Sequence, residues 1–138
     1  MAHRPTDSVR IVIFDISDPS KFLIVAEADD PTNWKLPGGK FNDSESVSEA
    51  PEEAATRELK EELGLEGAAI SLRLVDTLIN EDGVSARYIF SAQADPQTVQ
   101  PTSEVAAMQW VAEDTIPVSQ NQHHMATAVA AARRAAAV

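Results

Sequence analysis

Arg57-Glu58-Leu59-Lys60-Glu61-Glu62-Leu63-Gly64-Leu65 closes a helix that opens near Pro51, and the way its charges fall around that helix decides how the chain reads. At 100° per residue, Glu61 lies about 60° to one side of Glu58 and Glu62 about 40° to the other. Three carboxylates therefore share one narrow strip. Ala55, Leu59 and Leu63 form an apolar strip beside it, and Arg57, Lys60 and Glu53 take the remaining, wetter side. As structure alone the acidic strip is unfavourable. Like charges at i,i+3 and i,i+4 cost a few tenths of a kcal/mol each, and two carboxylates ~6 Å apart repel by ~3 kcal/mol at an effective dielectric of ~20. Glu61 and Glu62 also sit in the last turn, at the negative end of the helix dipole. A divalent cation removes all three penalties. Carboxylate oxygens without nitrogen or sulfur partners suit Mg²⁺, with Mn²⁺ as the alternative, better than zinc. A solvated acidic face is the plain alternative.

The residues ahead of the helix favour the cation. Leu36-Pro37-Gly38-Gly39-Lys40 supplies paired glycines, which let backbone approach a ligand closely and adopt positive φ. From Gly38 to Leu65 the chain resembles the signature box of the Nudix hydrolases, G-x5-E-x7-R-E-U-x-E-E-x-G-U with U aliphatic. Arg57, Glu58, Leu59, Glu61, Glu62, Gly64 and Leu65 match every fixed position of its second half. The first half departs. Counting forward from Gly39 gives Glu45 as the box glutamate, with eleven residues between it and Arg57 in place of seven; counting back from Arg57 gives Glu49, with nine residues between it and Gly39. We prefer Glu49, which precedes Pro51-Glu52-Glu53 at the helix start, where Pro51 suits the first helical position and the acids suit the positive end of the dipole. The four extra residues then belong to the polar stretch Asn42-Asp43-Ser44-Glu45-Ser46.

The rest of the chain supplies a single α/β domain. Its 138 residues allow one core, with 1–8 expected as a flexible N-terminus and 9–138 as the domain. Val9 to Ile16, apolar on both faces apart from Arg10 and Asp15, reads as a buried strand and Lys21 to Ala26 as its hairpin partner, with Glu27 to Asn33 a polar loop. Ile70 to Ile79 and Val84 to Gln93 form two long strands joined at Glu81-Asp82-Gly83. In the second, Tyr88, Phe90 and Ala92 share one face, and Arg87 and Ile89 the other. Val105 to Val111 is a further strand, and Ser119 is expected to N-cap a final helix toward Ala137. His123 and His124 are adjacent, face different ways and read as surface residues.

Composition bounds the partners. A formal net charge of −11 argues against a nucleic-acid polymer, and no run approaches a membrane span. Bound cations invert the local field, so the charge does not exclude phosphate substrates. There is no cysteine, which fits a reducing compartment; a cytoplasmic protein is the default.

The resemblance implies a mixed β-sheet between α-helices and hydrolysis of a nucleoside diphosphate linked to another group, by water and divalent metal. It implies Glu58, Glu61 and Glu62 as metal ligands, joined by the Gly38 carbonyl, with Arg57 orienting the carboxylates. Glu104, six residues before Trp110, matches the additional metal-binding glutamate of mutator-type members. Glu58 and Glu104 are both candidates for the general base. Gly39 and Lys40 beside the paired glycines, Arg87 on its strand, and Asn121 (or Gln120), where mutator-type members read an oxidised purine, are the candidate substrate contacts. The downstream proline arrangement of ADP-ribose hydrolases is absent. The leading expectation is a Mg²⁺-dependent enzyme converting (deoxy)nucleoside triphosphates to monophosphate and pyrophosphate in a house-cleaning role. Nucleotide-sugar hydrolysis and a non-catalytic nucleotide sensor are the alternatives, and a homodimer is compatible with the resemblance.

Overall fold

The apolar segment near the N-terminus becomes the middle of the sheet, and its alternation decides what lies on each side. The structure, a computed structural model, describes residues 7–41, 49–65 and 70–136. Strand β1 (Ser8–Asp15) pairs antiparallel with β2 (Asp18–Glu27) and parallel with β6 (Ala86–Ala94). Strands β3 (Asp30–Lys35) and β5 (Arg73–Ile79) extend this to the order β3-β2-β1-β6-β5. Strand β4 (Gly38–Lys40) adds to the start of β1, and β7 (Val105–Ala112) runs along β2.

Two cores flank the sheet. Val9, Ile11 and Ile13 point to one side, where Phe90 and Ala92 join Ala55, Leu59 and Leu63 of α1 (Pro51–Leu63). Val12 and Phe14 point to the other, where Ile89 meets Met125, Val129 and Ala132 of α2 (Gln122–Ala136). The apolar strip of α1 is thus buried as its spacing predicts; Leu59 and Leu63 contribute roughly 1.5–3 kcal/mol each by leaving water. This is the mixed sheet between helices that the sequence implies. No helix among the described residues is long and apolar enough to cross a membrane.

Three local expectations are corrected. The polar stretch Glu27 to Asn33 is mostly strand: β2 runs through Glu27 and β3 begins at Asp30. A terminal strand needs backbone pairing on one side only, so its polar residues and Pro31 are tolerated. Strand β1 starts at Ser8, and Asp7 before it is buried, accepting the Ala86 N–H at 2.7 Å. Ser119 does not cap the last helix, which starts at Gln122; its hydroxyl instead donates to the Trp34 carbonyl at 3.1 Å. Glu45 and the polar stretch around it lie outside the described residues, apart from what can be said of Glu49.

Candidate active site

Helix α1 is fixed at both ends, and that sets where its acids project. Pro51 opens it, and Glu53 accepts the N–H of Ala50 at 2.9 Å, answering one of the donors a helix start leaves open. Gly64 closes it in the left-handed conformation, φ +65°, with its N–H turned back to Lys60 and that of Leu65 to Leu59. One helical segment therefore carries Glu58, Glu61 and Glu62 toward β4.

The glycines of β4 meet those acids at close range. Gly38 pairs with Arg10 of β1, has φ +136°, and leaves no room for a side chain: a Cβ would stand 2.1 Å from the Val9 carbonyl oxygen. Its N–H donates to Glu62 Oε1 at 2.8 Å. A Cβ on Gly39 would stand 2.6 Å from Glu58 Oε1, so the backbone here lies against that carboxylate.

Arg57 gathers the rest. Its Nε and Nη2 bind both oxygens of Glu49 at 2.7 and 3.0 Å, Nη1 reaches Glu58 at 3.1 Å and Glu61 at 3.2 Å, and Nη2 also donates to the Lys40 carbonyl at 2.9 Å. Its pKa is raised, chiefly by Glu49. The wetter side expected for Arg57 is a correction: it is half-buried, while Lys60 and Glu53 are exposed.

Burial then separates the three acids of the strip. Glu61 is exposed, Glu58 is 9 % exposed and Glu62 only 2 %. Desolvation pushes the Glu62 carboxyl up to about 8, against the pull of the Gly38 N–H and with the help of the Glu58 charge. Glu58 is raised as well, again by desolvation first, with Arg57 opposing. Glu62 Oε2 is buried with no N–H donor, and the Glu62 side chain meets that of Glu27, another carboxylate.

Three further acids, Glu104, Glu27 and Asp29, line the same space. Glu104 is carried by a loop tied to the end of α1: Thr102 donates its N–H to the Glu62 carbonyl at 2.9 Å and its hydroxyl to that of Glu61. Glu27, at the end of β2, is an acid that sequence reasoning missed, having placed it in a loop. Burial raises its pKa, but the ion pair with Lys35 outweighs this and holds it low. Glu27, Asp29, Glu58, Glu61, Glu62 and Glu104 line one cavity of about 380 Å³. Among the described residues no three side chains already stand so as to hold a metal ion, and Arg57 holds Glu58 and Glu61. The donor set nevertheless fits a hard divalent cation: oxygen ligands only, with one buried carboxylate oxygen that no N–H donor reaches.

On the opposite face of the sheet lies a second cavity of about 330 Å³. It collects Lys40, Arg87 and Asn121, three of the sequence candidates, with Arg10, Lys35 and His124. Asn121 directs its amide N–H groups to Asn33 Oδ1 at 2.9 Å and the Trp34 carbonyl at 3.3 Å. His124, expected on the surface, is half-buried in this wall, whereas His123 is exposed. Arg10 stood out in the sequence as the one cation in an apolar strand, and that anomaly was the available signal.

The NUDIX domain model matches residues 4–134. No curated protein is similar enough to match. Among solved structures, an ADP-ribose pyrophosphatase from Streptococcus suis superposes with a TM-score of 0.73 at 25% identity, over 98% of this chain and 94% of that one. The E. coli dihydroneopterin triphosphate pyrophosphohydrolase gives 0.72 at 22%, over 94% of each chain. A C. elegans Ap4A hydrolase gives 0.71 at 19%, over 95% of this chain and 98% of that one. At these identities the last two show the fold alone.

Proposed function

This chain belongs to the NUDIX domain family and is a pyrophosphohydrolase of the Nudix type, and from that premise we propose that it hydrolyses nucleoside diphosphate-linked substrates at the acidic cavity. The observation that carries the reading is the buried Oε2 of Glu62, reached by no N–H donor, among five other carboxylates. A fold does not bury such an oxygen for stability, since each unpaired buried acceptor costs about 1–3 kcal/mol. Glu58, Glu61, Glu62 and Glu104, with the Gly38 carbonyl, would hold Mg²⁺ or Mn²⁺. When bound, the cation neutralises charge that builds on the anhydride oxygens.

The chain's own residues do the positioning. Arg57 fixes Glu58 and Glu61 through charge-assisted bonds and is itself fixed by Glu49, which we read as the glutamate of the box. The Gly38 N–H orients Glu62. Either Glu58 or Glu104 accepts the proton of the attacking water, and their separate Gln variants distinguish them by which one flattens the pH profile of kcat.

Within the class, (deoxy)nucleoside triphosphates are the leading substrates, cleaved to monophosphate and pyrophosphate in the cytoplasm. The second reading is a nucleotide sugar, favoured by the likeness to the S. suis ADP-ribose pyrophosphatase. A panel of triphosphates, ADP-ribose and UDP-glucose with Mg²⁺, resolved by product, tests both: pyrophosphate release supports the first and sugar phosphate the second. Tight binding with no turnover of any would overturn both in favour of a sensor. Assembly is a separate part of the proposal; a homodimer is measured by sedimentation equilibrium.

A further inference from the structure

The second cavity carries a charge pattern that the acidic site does not explain. β1 and β6 run parallel with Ser8 opposite Arg87 and Arg10 opposite Ile89. Alternation therefore sends Arg10 and Arg87 to the same face, diagonal to one another. Of its five N–H donors, Arg10 directs one to the Leu36 carbonyl at 3.1 Å, and Arg87 one to Asn80 Oδ1 at 2.6 Å. Among the described residues neither has a carboxylate at salt-bridge distance. Burial lowers the pKa of both, and for Arg87 the charge of Arg10 adds to the effect.

The nearby acids do not neutralise this pair. Asp82 is committed to the β5–β6 turn, accepting the N–H groups of Val84 and Ser85. Glu81 acts on Arg87 only through space. Two half-buried guanidinium groups, with Glu81 and Asp82 in the same lining but no carboxylate within salt-bridge distance among the described residues, are unfavourable in a protein at rest. They fit an anion with several oxygens.

Among the described residues His124 supplies the one ring of the lining, beside Arg10, Arg87, Lys35, Lys40 and Asn121. The cavity adjoins the acidic one. Lys35 lines it while pairing with Glu27 of the other, and β4 presents Lys40 here and the Gly39 backbone to Glu58 there. A substrate laid across β4 would reach both.

We propose that Arg10 and Arg87 form an anion subsite for a phosphoryl group lying beyond the scissile anhydride. The substrates are then those whose group on the far side of that bond is itself charged, triphosphates above all, in preference to nucleotide sugars with a neutral group there. The position of the scissile bond rests on the function proposed above; the anion subsite does not.

Two measurements separate the claims. In EDTA, inorganic tripolyphosphate titrated calorimetrically into the whole chain should bind about tenfold to a hundredfold more weakly to Arg87→Gln than to wild type, with Arg87→Lys between them. Circular dichroism checks the fold, and the lysine variant keeps the test alive if the glutamine variant fails to fold. With Mg²⁺, kcat/KM for ATP should exceed that for ADP-glucose, and the ratio should fall about tenfold in the Arg87 variants. Equal tripolyphosphate binding by wild type and variants, or a preference for ADP-glucose, overturns the proposal. Binding weakened by the substitution, with no turnover of either nucleotide, supports the subsite and overturns the hydrolytic reading instead.

Discussion

The two sides of β4 bury charge in opposite ways. Toward α1, six carboxylates share one cavity, with Arg57 and Lys35 as the cations in contact with them. Toward α2, two arginines share another, and among the described residues neither has a carboxylate at salt-bridge distance. The charges of Arg10 and Glu62 influence one another through space, yet no salt bridge joins them. A sequence selected for stability alone would pair such charges. Keeping them apart leaves each side frustrated, and together they complement something with a cation at one end and an anion at the other. A metal-bound polyphosphate has that form.

The hardest blow to this contrast is a change at its most buried acid. Glu62→Gln keeps the shape and the Gly38 contact but removes the charge. Turnover should fall on the order of a thousandfold, as when a principal charge-stabilising group is lost, while circular dichroism and the urea midpoint show a folded protein. Near-normal metal-dependent turnover would sink the assignment of the acidic cavity.

The paired glycines sharpen the contrast differently, because their neighbours differ in what they can yield. A methyl group on Gly38 meets the Val9 carbonyl, which is sheet backbone, at a φ that disfavours any side chain. Gly38→Ala should therefore destabilise the fold by about 2–3 kcal/mol or more, read as a lowered urea midpoint. On Gly39 the methyl meets the mobile end of Glu58. Gly39→Ala should fold normally and lose turnover, about tenfold to a hundredfold, by displacing that carboxylate. Equal effects of the two substitutions on the midpoint would contradict the geometry.

A smaller effect lies in the pH dependence of stability. The Glu62 carboxyl has its ordinary value near 4.5 in the unfolded chain and about 8 in the fold. The folded state thus binds more protons between these values, so this contribution is full below about pH 4.5 and is lost as pH rises through about 8. The metal-free protein should weaken steadily from about pH 5 to pH 8, by at most ~1.4 kcal/mol per unit for one proton. Mg²⁺ should remove most of the slope by replacing the proton, and Glu62→Gln should flatten it without metal. Urea midpoints in EDTA and in Mg²⁺ decide the matter; a metal-free stability rising over this range would contradict the burial argument.

How much of this was legible beforehand follows from what each residue's neighbours are. The helix and its acids were legible because 3.6-residue spacing, Pro51 and Gly64 are local signals. The two-sided core followed from the run Val9 to Phe14, apolar on both faces. β3 was not legible, because its pairing with β2 overrides its polar composition. Glu27 belonged to that misread stretch, so its place beside Glu62 was hidden with it. Arg10 was visible as an oddity in an apolar strand, but its partner in the cavity, Arg87, lies on a strand far along the chain. Only the parallel pairing of β1 with β6 brings the two together.

The smallest effect belongs to the acid reached through a loop. Glu104 is exposed, and its position depends on Thr102, which bonds the carbonyls of Glu61 and Glu62, and on the Ala28 N–H, which bonds the Glu104 carbonyl at 2.9 Å. An exposed carboxylate is screened by water, so Glu104→Gln should raise the Mg²⁺ needed for half-maximal rate by about tenfold, and leave more turnover than Glu62→Gln. Thr102→Val removes the hydroxyl tether while keeping the acid, and should shift the Mg²⁺ requirement in the same direction by less. The pair of substitutions tests placement as well as charge. A Mg²⁺ requirement unchanged by Glu104→Gln reduces Glu104 to a surface acid. A shift by Glu104→Gln without one by Thr102→Val would mean that the carboxylate finds the cation without the tether.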